Sequence, residues 1–175
     1  MLNLIKNKSF NLPSNCPFSN NYIIIHLRIG DVMESLSSDI FEKKAYRDQD
    51  TNNPRLPVSD FHYIATKYIV PLDWYSNLLP HFKNRNILIM AASHMKLRHY
   101  NNSNKYIQGV KNRLSKNGNI VFTMLGGHPD NDLLSIKNCT EFIRGSGNYS
   151  KLLSELSVKL GKKTNCHPKV KEYWP

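Results

Sequence analysis

Tyr22-Ile23-Ile24-Ile25-His26-Leu27-Arg28-Ile29-Gly30-Asp31 is the stretch whose reading decides the fold. An apolar, β-branched run leads into a histidine, an arginine two positions later, and then Gly-Asp. The run has the length of a buried strand and is too short for an ordinary helix. Its polar residues fall at or just past its carboxyl end, which in open α/β sheets is where ligands bind. An arginine there can grip a phosphate with a two-pronged fork. Gly30 lets the backbone turn sharply or come close to a ligand. His26, Arg28 and Asp31 are therefore candidate ligand residues, although a plain surface pair of Arg28 with Asp31, contributing about 0–1 kcal/mol, fits the same spacing.

Strand and helix patterns alternate outward from this run. Residues 21–26 open the series, and Asn86 to Ala92 and Ile120 to Leu125 read as further buried strands. Glu141 to Arg144 reads as a short fourth. Helical spacing covers 72–79, with Leu72, Tyr75, Leu78 and Leu79 on one face and Pro71 near its start. It recurs over 103–116, where Ile107, Val110 and Leu114 form the apolar stripe and Asn117-Gly118 stops the helix. A helix over 130–139 carries acids in its first turn, where the macrodipole favours them. The last helix, from about 149 to 160, presents Tyr149, Leu152, Leu153, Leu156 and Leu160. Phe61 to Val70 reads as a short strand. Such alternation argues an α/β fold, a Rossmann-like three-layer parallel sheet with helices on both faces.

The residues outside this frame are less patterned. Residues 1–20 read as a loose, polar leader without an apolar signal-peptide core. Residues 31–60 lack a clear period, apart from a short helical piece near 38–46, and read either as a functional loop over the site or as disorder. The basic tail, 162–175, reads as loosely ordered. The 175 residues fit one domain, here 21–161. A formal charge of +11, from 24 Lys and Arg against 13 Asp and Glu, favours anionic partners, though scattered lysines also make a generic basic surface. Cys16, Cys139 and Cys166 are odd in number and lack metal-type spacing, so they read as reduced structural thiols. No window approaches a membrane span.

A second constellation is Arg144-Gly145-Ser146-Gly147-Asn148-Tyr149-Ser150, a strand end, a glycine-rich turn and a helix start. Helix-terminal amides flanked by small residues suit an anion such as a diphosphate. The dinucleotide fingerprint is absent, because its third glycine is missing. Ser146 or Asn148 acting only as a helix cap fits equally well.

His26-Leu27-Arg28-Ile29-Gly30-Asp31 resembles the H-x-R-x-x-D signature of the GDP-fucose-dependent fucosyltransferases, the α1,2-, α1,6- and protein O-fucosyltransferases. The layout of Asp132-Leu133-Leu134, Glu141-Phe142-Ile143 and Asn148-Tyr149-Ser150 is similar to the late region of that superfamily. The resemblance spans roughly 21–161 and implies the C-terminal, nucleotide-sugar-binding half of a GT-B glycosyltransferase, with the acceptor-side half missing. It implies that Arg28 pairs with the β-phosphate and His26 lies against the nucleotide. Asp31 would orient Arg28 or the strand-end loop, beside Gly30. Asp132 would hold the guanine edge, and Ser146, Asn148, Tyr149 and Ser150 would line the phosphates. An ordinary first-turn acid is the other reading of Asp132.

Three departures stand out. Ser93-His94 replaces an acidic pair, Asn148 stands where serine is frequent, and Ile29 replaces a second arginine. The implied reaction is inverting transfer of fucose from GDP-fucose to a hydroxyl, with no cofactor and no metal. Arg28 and helix amides would stabilise the departing diphosphate, and Glu34 is the nearest carboxylate for a general base. The implied partners are a GDP-sugar donor, a glycan or protein acceptor, and a separate acceptor-binding domain or chain. A complete chain of this kind would be cytoplasmic; a fragment of a longer one would be lumenal in the Golgi or endoplasmic reticulum. Two other classes stay open: a GDP-sugar-binding module inactive alone, and a basic nucleic-acid binder, for which no recognised motif is present.

Overall fold

The computed structural model describes residues 8, 9, 11–30, 33, 69–92, 101–126 and 129–173. Among them one parallel sheet holds β1 (Tyr22–Arg28), β2 (Asn86–Ala92), β3 (Ile120–Leu125), β4 (Cys139–Arg144) and β5 (Lys163–Cys166). The spatial order is β3-β2-β1-β4-β5. The chain thus builds outward on one side of β1 and then returns to build on the other, which is the doubly wound, Rossmann-like arrangement. The described helices are α1 (Leu72–Leu78), α2 (Asn101–Leu114), α3 (Pro129–Ser135), α4 (Asn148–Lys159) and α5 (Pro168–Tyr173).

β1 is central, and every residue from Tyr22 to Leu27 is buried. A strand covered on both faces needs apolar residues on both, which explains its unbroken run of isoleucines. Its side chains alternate between two cores. Ile23, Ile25 and Leu27 pack with Leu72 and Tyr75 of α1, Ile107, Val110 and Leu114 of α2, and Val170 of α5. Tyr22 and Ile24 pack with Leu88, Met90, Phe142 and Leu153, with Leu133 and Tyr149 beside them. The sheet is therefore the middle of three layers, with α3 and α4 on the second face. His26 is the next residue on that second face.

Local rules account for the boundaries. α2 buries its stripe at i, i+3 and i+7, and Asn117 (φ 58°) with Gly118 (φ 74°) ends it in the left-handed region. α1 begins after Pro71 and runs on into a 3₁₀ turn, Leu79–His81. α3 likewise closes in a 3₁₀ turn, Ile136–Asn138, so the expected helix over 130–139 is two shorter pieces.

Other expectations need correcting. Residues 162–175 are not loose where described: β5 pairs in register with β4, and α5 follows, anchored by buried Val170. β5 is a short polar edge strand, so it lacks the apolar signature of the others. Leu152 is 37% exposed, and the buried face of α4 is made instead by Ser150, Leu153, Leu156 and Ser157. The leader forms no described strand or helix, but Leu12 and Phe18 pack against the second core. The helical piece near 38–46 and most of the strand read at Phe61 to Val70 lie outside the described residues. Cys16, Cys139 and Cys166 are free thiols. No helix among the described residues is long and apolar enough to cross a membrane.

Candidate functional site

The winding reverses between β1 and β4, and the crevice at their carboxyl ends is the position where doubly wound sheets bind ligands. The two stretches singled out in the sequence meet there. A Cβ on Gly145 would fall 3.2 Å from the carbonyl carbon of His26 and closer still to its oxygen. The turn after β4 therefore lies directly on the end of β1, which only glycine permits. Gly147, at φ 92°, then starts α4 in a conformation that other residues rarely adopt.

Gly147 is the N-cap of α4, and no side chain caps the helix. This overturns the reading of Ser146 or Asn148 as a capping residue. The amide of Lys151 donates to the Gly147 carbonyl at 3.1 Å. The amides of Asn148, Tyr149 and Ser150 precede it and have no acceptor within their own helix. They form the partly positive end of a 12-residue helix at the switch point.

His26 and Ser150 are 5% and 0% exposed. His26 Nδ1 and Ser150 Oγ have no hydrogen-bond partner among the described residues. Buried polar atoms are normally satisfied, so two such atoms beside uncapped amides mark a place shaped for a polar ligand. Burial, assisted by the nearby charge of Arg28, pushes the His26 imidazole down to about 4. His26 is therefore neutral near pH 7 and acts as a hydrogen-bonding and packing group, not a cation.

Arg28 is the half-buried last residue of β1. The turn beyond it is held by α2: Gly30, at φ 89°, donates its amide to Ser103 Oγ at 3.0 Å. Asn102 Nδ2 donates to the Met33 carbonyl at 3.2 Å. Arg144 ends β4, one residue past the Ile25–Ile143 pairing and so level with His26. Burial lowers its pKa, opposed by Cys166 and Glu155. Arg144 was not among the sequence-derived site residues. Its place as a cation closing a strand ahead of a glycine turn was the available signal, the same one that marked Arg28.

Asp132 is buried at 2% exposure. The Tyr149 hydroxyl lies 3.2 Å from both Asp132 Oδ2 and the Pro129 carbonyl, donating its proton to one of them. The Tyr149 ring meets His26 edge-on at 5.8 Å. Asp132, Tyr149 and His26 thus form a chain of contacts joining α3, α4 and β1. Burial, and then the Asp132 carboxylate, raises the Tyr149 pKa. With its hydroxyl engaged by α3, Tyr149 offers an anion its backbone amide. Asp130 and Asp132 both lie in the first turn of α3, so the dipole explanation of Asp132 stands beside any ligand role.

Asp130-Asn131-Asp132 also has acid-x-acid spacing. Two helical steps turn the side chains roughly 200° apart. Asp130 is exposed while Asp132 is buried, so they do not converge on one cation. Among the described residues no group of three or more His, Cys, Asp or Glu is arranged to hold a metal ion. Asp31, Glu34 and Ser93-His94 lie outside the described residues.

The structure thus brings His26, Arg28, Gly30, Ser146, Asn148, Tyr149, Ser150 and Asp132 to one edge of the sheet. A guanidinium, uncapped amides and buried polar atoms in one crevice suit an oxyanion. No protein-family model, curated protein or solved structure matches this chain.

Proposed function

We propose that the crevice between β1 and β4 binds the diphosphate of a GDP-sugar, and that the protein transfers fucose from GDP-fucose to a hydroxyl acceptor with inversion and without a metal. The observation that carries this reading is the seating of the Gly145–Ser150 turn on the end of β1 at His26. It supports a phosphate cradle made of two segments far apart in the chain. In the reaction, the acceptor oxygen forms a bond to fucose C1 while the bond from C1 to the β-phosphate oxygen breaks. GDP leaves with the electron pair, and the acceptor proton passes to a base, for which Glu34 is the sequence candidate. Arg28 and the α4 amides offset the charge gathering on the diphosphate, a preorganised electrostatic contribution. His26 stays neutral and packs against the nucleotide. Asp132 is the candidate for the guanine edge.

The test is transfer of labelled fucose from GDP-fucose, with Arg28→Ala as control. Equal turnover by the two proteins refutes the mechanism.

A second reading is favoured by one observation: the described residues build a single sheet, whereas a GT-B transferase works between two. On this reading the protein is a GDP-sugar-binding module that acts with a separate acceptor-binding domain or chain. Calorimetry with GDP and GDP-fucose separates the readings, since a module binds both without transfer.

A further inference from the structure

We propose a second ligand site at the opposite, amino-terminal edge of the sheet, built to hold a small phosphomonoester with a hydroxylated body. A cleft of about 450 Å³ opens there, lined by His81, Arg85, Thr140, Glu141, Lys163 and Asn165 over a floor of Leu78 and Phe82. That volume is typical of small-molecule sites. β1 has seven residues, so the cleft lies about 20 Å from the switch point at the usual rise per residue and is independent of the function proposed above.

The cleft is organised around Arg85. Its backbone amide donates to Asn119 Oδ1 at 2.9 Å, and the Asn119 amide group is itself fixed on the Phe82 and Leu114 carbonyls at 3.1 and 3.0 Å. Its guanidinium donates from Nη2 to Thr140 Oγ1 at 3.1 Å. Thr140 is aimed at it by an irregularity in the ladder. Tyr22 pairs with Cys139 and Ile23 with Glu141, leaving Thr140 as the extra, bulged residue. Bulges re-aim side chains in this way, and often beside functional sites. The Thr140 hydroxyl in turn donates to the Tyr22 carbonyl at 3.3 Å.

Arg85 is thus held from its backbone and from its tip, yet its charge is not neutralised. The Thr140 bond uses one of five guanidinium N–H groups. Neither Arg85 nor Lys163 forms an ion pair with a carboxylate among the described residues, where the ion pair present is Arg113 with Asp73. A guanidinium and an ammonium lining one cleft, together with His81, suit an oxyanion. Glu141, level with Lys163 across β4 and β5, offers a carboxylate acceptor beside the cations, while Asn165, whose Oδ1 accepts from the Cys166 amide at 2.8 Å, offers its Nδ2 donors two residues on. A hydroxylated body can donate to Glu141 and accept from Asn165 while its phosphate stays on the cations, contacts that the single small phosphate ion cannot make all at once, which favours a polyol phosphate over inorganic phosphate.

The test is amide chemical-shift mapping of the whole protein during titration with glucose 6-phosphate and, separately, with inorganic phosphate. Both probes are expected to shift the amides of Arg85, Thr140 and Asn165, with the hexose phosphate binding more tightly. Arg85→Gln and Lys163→Gln are each expected to weaken it about tenfold, the equivalent of losing one charge-assisted hydrogen bond. Spectra that are otherwise unchanged establish that the variants fold. Absent shifts at these amides, equal affinity for the two probes, or binding that persists in both variants overturns the proposal. Titrated GDP is expected to leave these amides still, so a failure here is separable from a failure at the switch point.

Discussion

Replacing Gly145 by alanine adds one methyl group at the junction on which the site depends. The new carbon falls inside 3.0 Å of the His26 carbonyl oxygen and 3.2 Å from its carbon. Both are backbone atoms of the most buried strand, so no flexible side chain can move aside. Either the turn lifts off β1 or β1 shifts in the sheet. Overpacking of this kind costs about 1–3 kcal/mol, and the upper half of that range applies because the obstacle is main chain. The easier response is for the turn, with the first turn of α4, to move away by something on the order of 1 Å, a displacement that can cost about 10²-fold in catalysis. We therefore expect Gly145→Ala to lower the urea-unfolding free energy by about 2–3 kcal/mol at an unchanged m-value. We also expect at least a tenfold loss of GDP affinity by calorimetry, the equivalent of about 1.4 kcal/mol. A variant as stable as wild type, binding GDP equally well, refutes the claim that this turn sits on β1.

The remaining predictions concern single groups. His26 has its folded pKa near 4, below the 6.5 of the unfolded chain. Between these values the unfolded state binds more protons, so stability is full above pH 6.5 and falls as pH drops toward 4, by about 3 kcal/mol in all. His26→Gln is expected to flatten that part of the profile, measured by urea titrations across the range, and an unchanged slope rejects the assignment. Tyr149→Phe removes the hydroxyl that donates to Asp132 Oδ2 or the Pro129 carbonyl and is expected to cost about 1–2 kcal/mol in thermal or urea unfolding; an unchanged stability contradicts the contact. Ser103→Ala removes the acceptor of the buried Gly30 amide and is expected to cost about 1–3 kcal/mol, with faster hydrogen exchange at Gly30 as the specific readout. Ser150→Ala is expected to stay within about 0.5 kcal/mol of wild type, because no hydrogen bond of the described residues is lost, while weakening GDP binding several-fold. Equal affinity removes Ser150 from the site.

Strands β1 and β2 were readable because burial on both faces demands unbroken apolar runs, and both carry them; β4 shows only Phe142-Ile143 between polar residues. Helix ends marked by Asn117-Gly118 or by a glycine turn before Asn148 were readable for the same local reason. The strand order was not, since it depends on which runs pair across more than a hundred residues. β5 was invisible because Lys163-Thr164-Asn165-Cys166 lies at an edge, where exposed side chains need no apolar pattern. Arg28 and the Gly145–Ser150 turn were legible as strand-end chemistry, but their meeting was not, and neither was the link from Asp132 through Tyr149 to His26. Arg144 had the same local appearance as Arg28. Only the pairing of β4 beside β1 gives it comparable standing.

Amide chemical-shift mapping with GDP tests the central claim most directly. The amides of Leu27–Gly30 and those of Gly145–Ser150 are expected to shift together, saturating with one dissociation constant, and both responses are expected to vanish in Arg28→Ala. Shifts confined to one segment, or a full response in Arg28→Ala, contradict the claim.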